Sequence, residues 1–120
     1  MYELEYYENS RGEKPVEEYI DELRRKNDKD SKIRLKKILS YLALLSEYGK
    51  TLGEPYIKPI RGDIWELRPL DDRIFFVAIH DARIVLLHYY RKKSQKTPKR
   101  EIEQAQREYT EFKRTLKREG

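Results

Sequence analysis

The sequence contains no cysteine and only one methionine and one tryptophan. The lack of cysteine excludes disulfide bonds, thiolate metal ligands and a cysteine nucleophile. No apolar run approaches the length of about 18 residues that a membrane-spanning helix needs. Met1 is followed by YELEYYE, which lacks the basic and apolar regions of a signal peptide. We therefore expect a cytoplasmic protein that does not contact membranes.

Apolar residues are also scarce. They make up 38% of the 120 positions, whereas charged residues make up 41%, so the chain can build only one modest core. Ten tyrosines supplement that core with large, partly polar side chains. Length and composition together predict a single soluble domain over residues 1–120.

Positive charge, in contrast, is concentrated in residues 91–100, RKKSQKTPKR, which we call the basic segment. It holds six basic side chains and no acidic one, whereas the other positions hold 21 basic and 22 acidic side chains. Clustered Lys and Arg gain affinity for polyanions because they release counterions from phosphates. We interpret the segment as a nucleic-acid-binding site, and a solvated junction between a strand and a helix is the alternative. The binding residues predicted here are Arg91, Lys96, Lys99 and Arg100.

A helix is predicted to begin within the basic segment. Thr97 is a suitable N-cap, and Pro98 suits the first helical position because its missing N–H costs nothing there. Lys99 and Arg100 in the first turn oppose the helix dipole, which indicates that function selected them, and the free N–H groups of that turn also favour an anion. Apolar residues then recur every three or four positions. They are Ile102, Ala105, Tyr109, Phe112 and Leu116.

The rest of the chain is predicted to form two helices and four strands. Pro15 opens the first helix, and Asp30 or Ser31 caps a second helix that ends at Gly49. Strands are predicted at 2–7, 64–68, 73–80 and 84–90, with a loop at 49–63. The order β, α, α, β, β, β, α predicts an α+β domain. Its antiparallel sheet, made of the N-terminal strand and a C-terminal three-stranded meander, is packed on one face by helices and open on the other.

Two arginines stand at the ends of neighbouring predicted strands. Alternation places Glu66 and Arg68 opposite the face that packs on helices, and the intervening hairpin brings Arg68 near Arg73. Local salt bridges are the alternative interpretation: Glu66 or a cross-strand acid for Arg68, and Asp71 or Asp72 for Arg73. The last strand delivers further cations to the same end of the sheet, so we expect several positive charges around one anion-binding concavity.

Such a concavity suits RNA cleavage without a metal. A base must deprotonate the ribose 2′-hydroxyl, cations must stabilise the charge of the transition state, and an acid must protonate the leaving 5′-oxygen. His88 or Tyr90 could donate that proton, although the apolar strand around His88 favours a core histidine. His80 and Asp81 do not make a metal site without a further ligand. The catalytic residues predicted here are Arg68, Arg73, Lys92 and Lys93.

Several of these motifs together resemble the phage-derived HigB-type toxins of the RelE superfamily. The similarity lies in IWELR at 64–68, Arg73 one turn later, the apolar run at 84–90 and KKSQKTP at 92–98. The resemblance implies a RelE-like fold and the toxin of a type II toxin–antitoxin pair, an endoribonuclease that cleaves mRNA in the ribosomal A site. It also implies a cognate antitoxin with a helix-turn-helix DNA-binding domain, through which alone operator DNA is contacted.

The resemblance also carries over to single residues. Arg68 matches the arginine that closes the family's E-L-R string. Arg73 matches the arginine that follows the central hairpin, and Lys92 or Lys93 matches the basic residue after the last strand. In some members a C-terminal aromatic takes part, for which Tyr109 is the candidate, although its place on the apolar stripe favours core packing. The chain departs from relatives in lacking glycine at residues 71–72 and in having two tyrosines at residues 89–90. A non-catalytic basic RNA- or DNA-binding or regulatory module is the alternative function, and a protein-interaction module is a third.

Overall fold

The computed structural model describes residues 1–119 as an α+β arrangement, which confirms the predicted class. None of the helices in this range is long and apolar enough to cross a membrane. The elements are β1 (Glu3–Tyr6), α1 (Pro15–Arg25), α2 (Lys29–Tyr48), a 3₁₀ turn (Gly49–Leu52), β2 (Ile57–Arg61), β3 (Ile64–Leu67), β4 (Asp72–Ile79), β5 (Arg83–Arg91) and α3 (Lys99–Glu119).

The five strands form one mixed sheet in the order β1-β5-β4-β3-β2. β1 runs parallel to β5, whereas the other neighbours are antiparallel, so the prediction of a wholly antiparallel sheet is wrong. Strand β2 occupies part of the stretch predicted as a loop. The strand was not predicted because it contains Pro59, and proline argues against a central strand. Proline is tolerated on an edge strand, which is the position of β2.

Helices cover both faces of the sheet, so the predicted open face is wrong. Ile74 and Phe76 of β4 pack with α1 and α2 in a first core, whereas Phe75 and Val77 point to the other face and pack with α3 in a second core. Strands buried on both faces carry continuous apolar runs instead of alternation. The run IVLL at residues 84–87 is of that kind, and all four side chains are buried.

Helix boundaries agree with the predictions to within a few residues. α1 begins at Pro15 as predicted. The N-cap of α2 is Asp28, not Asp30 or Ser31, because the Asp28 carboxylate accepts the Ser31 backbone N–H at 2.9 Å. The helix ends before Gly49, whose φ of 57° suits glycine, and the Tyr2 ring packs so closely that a Cβ at this position would lie 2.5 Å from it.

A β-bulge interrupts the pairing of β4 with β5. Phe75 pairs with His88 but Phe76 pairs with Leu86, which leaves Leu87 as an extra residue in β5. A bulge shifts the alternation of the strand by one position. Leu87 and His88 therefore both face α3, although they are consecutive residues.

The same shift sets the direction of the two tyrosines that follow. Tyr89 faces α1 and stacks on Tyr19 with ring centroids 3.9 Å apart, whereas Tyr90 packs in the second core against Phe75. The bulge thus delivers His88 and Tyr90 to the α3 face, just before the chain enters the basic segment.

Candidate functional site

A buried carboxylate occupies the place where the sequence predicts an anion-binding concavity. Glu66 is 1% exposed, and its Oε1 lies 3.6 Å from Arg68 Nε and 3.8 Å from Arg73 Nε. Its Oε2 accepts hydrogen bonds from the Tyr90 hydroxyl at 2.9 Å and the Thr97 hydroxyl at 3.2 Å. We call these five residues the Glu66 cluster. The two arginines are brought together as predicted, but around an internal anion.

Arg73 is a buried part of this cluster. Its Nη1 donates to the carbonyl oxygens of Leu70 at 2.6 Å and Asp72 at 2.9 Å, so its guanidinium holds the turn between β3 and β4. Arg68 differs, because 28% of its side chain is exposed. The alternative interpretation of Arg68, a salt bridge with Glu66, is confirmed. The alternative for Arg73, a salt bridge with Asp71 or Asp72, is wrong, because Arg73 binds backbone carbonyls and pairs with Glu66.

The Asp72 carboxylate instead ties the sheet to both N-terminal helices. It accepts hydrogen bonds from the Tyr19 hydroxyl at 2.6 Å and from Arg34 Nη2 at 2.9 Å. Arg34 also donates to the Tyr19 hydroxyl. This network fixes the start of β4, and with it the position of the neighbouring Arg73.

Two hydroxyl groups of the Glu66 cluster, those of Tyr90 and Thr97, are held by the Glu66 carboxylate. Burial, together with the neighbouring Glu66 carboxylate, raises the pKa of Tyr90 to about 12, so its phenol stays protonated at neutral pH. The Thr97 hydroxyl contacts Glu66 and does not cap α3. Pro98 occupies the N-cap position instead, and its carbonyl accepts the first bonds of the helix from the N–H groups of Glu101 at 3.1 Å and Ile102 at 3.3 Å. The predicted N-cap at Thr97 and first helical position at Pro98 are therefore wrong by one residue.

A groove of about 510 Å³ lies beside this cluster, between the end of β5 and the start of α3; we call it the basic groove. Its cations are Arg91, Lys93 and Arg100. Arg68, Arg73 and Lys92 do not line it, so the four predicted catalytic residues do not converge on one groove. Lys92 is half-buried, and its backbone N–H donates to the Asp71 carbonyl at 2.7 Å. Lys96 and Lys99 are exposed beyond the lining.

His88 lines the groove and lies between two carboxylates of α3. Its Nε2 lies 2.8 Å from Glu101 Oε1, and its Nδ1 lies 3.4 Å from Glu108 Oε1. The ring is also stacked on Phe75, with centroids 6.1 Å apart. The favoured interpretation of His88 as a core histidine is thus correct only in that its ring has partners. The side chain is 18% exposed and lines the groove, and its partners are two carboxylates of α3.

Sequence reasoning missed Glu101 and Glu108. Glu108 lies on the core-facing side of α3, three residues after Ala105, and a carboxylate in that stripe was the signal that could have identified it. Burial raises the pKa of Glu108 to about 8, against a smaller opposing effect from its hydrogen bond with Gln104. At neutral pH this carboxyl group is therefore largely protonated.

Two other candidate residues have ordinary structural positions. Tyr109 packs against the second core and donates its hydroxyl to Asp63 at 3.1 Å, which confirms the packing interpretation. His80 lies 3.0 Å from Asp81 in the exposed turn between β4 and β5. Over residues 1–119, no group of three or more His, Asp or Glu side chains is placed to hold a metal ion.

Comparison with known proteins links this geometry to a family. No curated protein matches the chain. The model of one family, described as phage-derived protein Gp49-like (DUF891), matches residues 18–110, a range that includes the Glu66 cluster and the basic groove. This family is associated with toxins of the RelE/HigB type. Because the match spans more than half of the sequence, the chain belongs to the Gp49-like family of phage-derived proteins.

Proposed function

We propose that the protein is the HigB-type toxin of a type II toxin–antitoxin pair. In this proposal it has a RelE-like fold, cleaves ribosome-bound mRNA without a metal and thereby inhibits translation in the cytoplasm. The observation that carries the proposal is the basic groove, where Arg91, Lys93 and Arg100 surround a space of about 510 Å³. Membership of the Gp49-like family, which is associated with such toxins, supports it.

The groove suits an RNA backbone because its cations are exposed and carry few local counter-charges. Arg91 Nη2 is 3.9 Å from Asp30, and Arg100 Nε is 3.9 Å from Glu101, distances that leave both guanidinium groups able to bind phosphate. Lys96 and Lys99 are also exposed and extend the positive surface beyond the groove. Affinity in this arrangement comes from phosphate contacts and falls with salt.

In this mechanism the cations stabilise the extra negative charge that develops on phosphorus when the 2′-oxygen attacks. Lys93 lines the groove and is the cation that stabilises this charge at the reacting phosphate. Arg68, which is partly exposed beside Glu66, contacts the RNA backbone next to that phosphate. Arg73 acts from the interior by holding the β3–β4 turn, and Lys92 supports the chain where β5 ends. The products carry a 2′,3′-cyclic phosphate.

The proposal includes a cognate antitoxin with a helix-turn-helix DNA-binding domain. To neutralise the toxin, the antitoxin must cover the basic groove or offset its charge, which favours an acidic contact segment. Operator DNA is then contacted through the antitoxin in the complex.

A non-catalytic RNA- or DNA-binding module is the second candidate. It is favoured by the Glu66 cluster, because Arg68 and Arg73 are both paired with the buried Glu66 carboxylate and neither lines the basic groove. In that case the basic groove binds nucleic acid and no bond is broken.

The test is incubation of purified protein with ribosomes carrying a defined, end-labelled mRNA. We expect new RNA ends that bear a 2′,3′-cyclic phosphate and that persist when no metal beyond the magnesium of the ribosome is supplied. Binding of the mRNA complex without new ends identifies the non-catalytic module.

A charge-matched pair of variants makes this test specific to the groove. Lys93→Gln with Arg100→Gln removes two groove cations, whereas Lys32→Gln with Lys36→Gln removes two exposed cations of α2. Only the first pair is expected to lose cleavage. Equal loss in both pairs would mean that net charge, not the groove, determines activity.

A further inference from the structure

One carboxylate lies inside the most basic part of the molecule. Among the described residues that line the basic groove, Glu101 is the single acidic side chain, facing Arg91, Lys93 and Arg100. It is also the first acidic residue after the basic segment. An acid at this position weakens phosphate binding, so its presence there points to a role other than affinity.

His88 holds this carboxylate in one orientation. The bulge in β5 turns His88 towards α3, where Nε2 contacts Glu101 Oε1 at 2.8 Å. The second oxygen, Oε2, has only the loose contact with Arg100 Nε at 3.9 Å among the ion pairs of the described residues. Glu101 thus presents one fixed oxygen to His88 and a second oxygen that is not tightly held.

Glu108 contacts the other nitrogen of the His88 ring. Its Oε1 is buried and, over residues 1–119, has no hydrogen-bond partner, yet it lies 3.4 Å from His88 Nδ1. Burial raises the pKa of Glu108 to about 8, so near neutral pH its proton is available to His88 Nδ1. The imidazole thus lies between Glu101 at Nε2 and Glu108 at Nδ1, and these two contacts from α3 hold the ring in one orientation.

We propose that Glu101 is the general base of the RNA cleavage and that His88 is its positioning residue. This inference rests on the proposed function. Glu101 takes the proton of the 2′-hydroxyl while the 2′-oxygen bonds to the adjacent phosphorus. The bond from phosphorus to the 5′-oxygen breaks, and the leaving oxygen takes a proton from Lys93 in the same groove. Glu101 and Lys93 then regain their starting states by exchange with water.

The decisive variant is Glu101→Gln, compared with Glu103→Gln, which removes the same charge from an exposed position on the same helix outside the groove. The assay is the single-turnover rate on ribosomes programmed with a defined mRNA. We expect Glu101→Gln to lower the rate by about 100-fold or more, the usual contribution of a general base. Glu103→Gln is expected to cleave like the wild type.

A binding measurement distinguishes a catalytic role of Glu101 from a structural one. Affinity is measured on ribosomes programmed with an mRNA whose riboses carry 2′-O-methyl groups, which cannot be cleaved. We expect Glu101→Gln to bind as tightly as the wild type or more tightly, because an anion has left a phosphate-binding groove. Loss of both binding and cleavage would overturn the inference, since Glu101 would then only maintain the groove.

The pH profile gives a second measurement, the first part of which needs only the wild type. The wild-type rate is expected to fall at acidic pH, where a carboxylate base is protonated, and Glu101→Gln is expected to lose that dependence. The charged groups that face Glu101 are His88 and Arg91 from β5, Lys93, and Arg100 and Glu108 from α3.

His88→Gln, which keeps a hydrogen-bond donor, should lose less activity than His88→Leu. A wild type that cleaves equally well at all pH values, or a Glu101→Gln variant with full activity, overturns the inference but leaves the proposed function standing. A wild type that cleaves no RNA overturns both.

Discussion

At the scale of single residues, the Glu66 cluster shows how a buried anion decides the role of two arginines. Glu66 has two basic neighbours and two hydroxyl donors, so all of its oxygen atoms are engaged. A buried ion pair is weak evidence for high stability, but removing one member leaves an uncompensated charge. Glu66 is therefore the residue whose replacement affects the cluster most.

Glu66→Gln tests this directly. The amide can still accept a hydrogen bond from Tyr90 or Thr97, but it leaves Arg73 without its carboxylate in the interior. We expect a loss of about 3 kcal/mol in the free energy of unfolding, measured by urea denaturation. Tyr90→Phe removes a single hydrogen bond to the same group and should cost only about 1 to 2 kcal/mol. Equal stability of Glu66→Gln and wild type would contradict this account of the cluster.

The two arginines should respond differently to substitution by alanine. Arg73 is buried and donates two hydrogen bonds to carbonyls of the β3–β4 turn, whereas Arg68 is partly exposed. We expect Arg73→Ala to lower the melting temperature more than Arg68→Ala. If the order is reversed, the turn does not depend on the Arg73 guanidinium. The rate of mRNA cleavage by Arg73→Ala is informative about catalysis only when this loss of stability has been measured.

At the scale of elements, the chain's periodicity predicted the helices well because one stripe of each faces a core. The buried residues of α1, which are Val16, Tyr19, Ile20 and Leu23, are those predicted. The site was less predictable because of the β-bulge. Strict alternation from Val85 and Leu87 places Tyr89 on the α3 face, but the extra residue in β5 puts His88 there. The bulge depends on pairing with β4, and no local pattern encodes it.

The first turn of α3 offers a prediction about binding and stability together. Lys99 and Arg100 are exposed at the positive end of the helix dipole, so replacing both by Gln should raise the melting temperature slightly. If both contact phosphate, the slope of log affinity against log salt for single-stranded RNA should decrease in magnitude by about 1.4. The variant with Lys32→Gln and Lys36→Gln should leave that slope unchanged. A raised melting temperature with an unchanged slope would place the phosphate contacts elsewhere.

At the scale of the whole molecule, the concentration of charge in the basic segment was evident from the sequence, whereas the two-sided core was not. The runs IFFV and IVLL are continuous, which is typical of strands buried on both faces, and the prediction of an open face did not use this signal. Covering the second face with α3 also explains Glu101 and Glu108. Both carboxylates contact His88, which the bulge in β5 turns towards that helix.

That packing makes the stability of the molecule depend on pH through Glu108. Burial raises the pKa of Glu108 from 4.5 to about 8 in the folded state, and Glu111 and Glu101 act in the same direction while Gln104 and Arg107 oppose it. Between these two values the folded chain holds a proton that the unfolded chain has released. The free energy of unfolding contributed by this group is therefore fully present below pH 4.5 and is lost as the pH rises through about 8.

Glu108→Gln should remove this dependence, because an amide stays neutral at every pH. Urea denaturation at several pH values is expected to show that the variant gains stability relative to the wild type as the pH rises from 4.5 to about 8. Glu103→Gln, at an exposed position of the same helix, should follow the wild-type curve. Parallel curves for Glu108→Gln and wild type would show that Glu108 ionises normally in the fold. In that case it could not donate a proton to His88 Nδ1, and the orientation of the ring would depend on Glu101 alone.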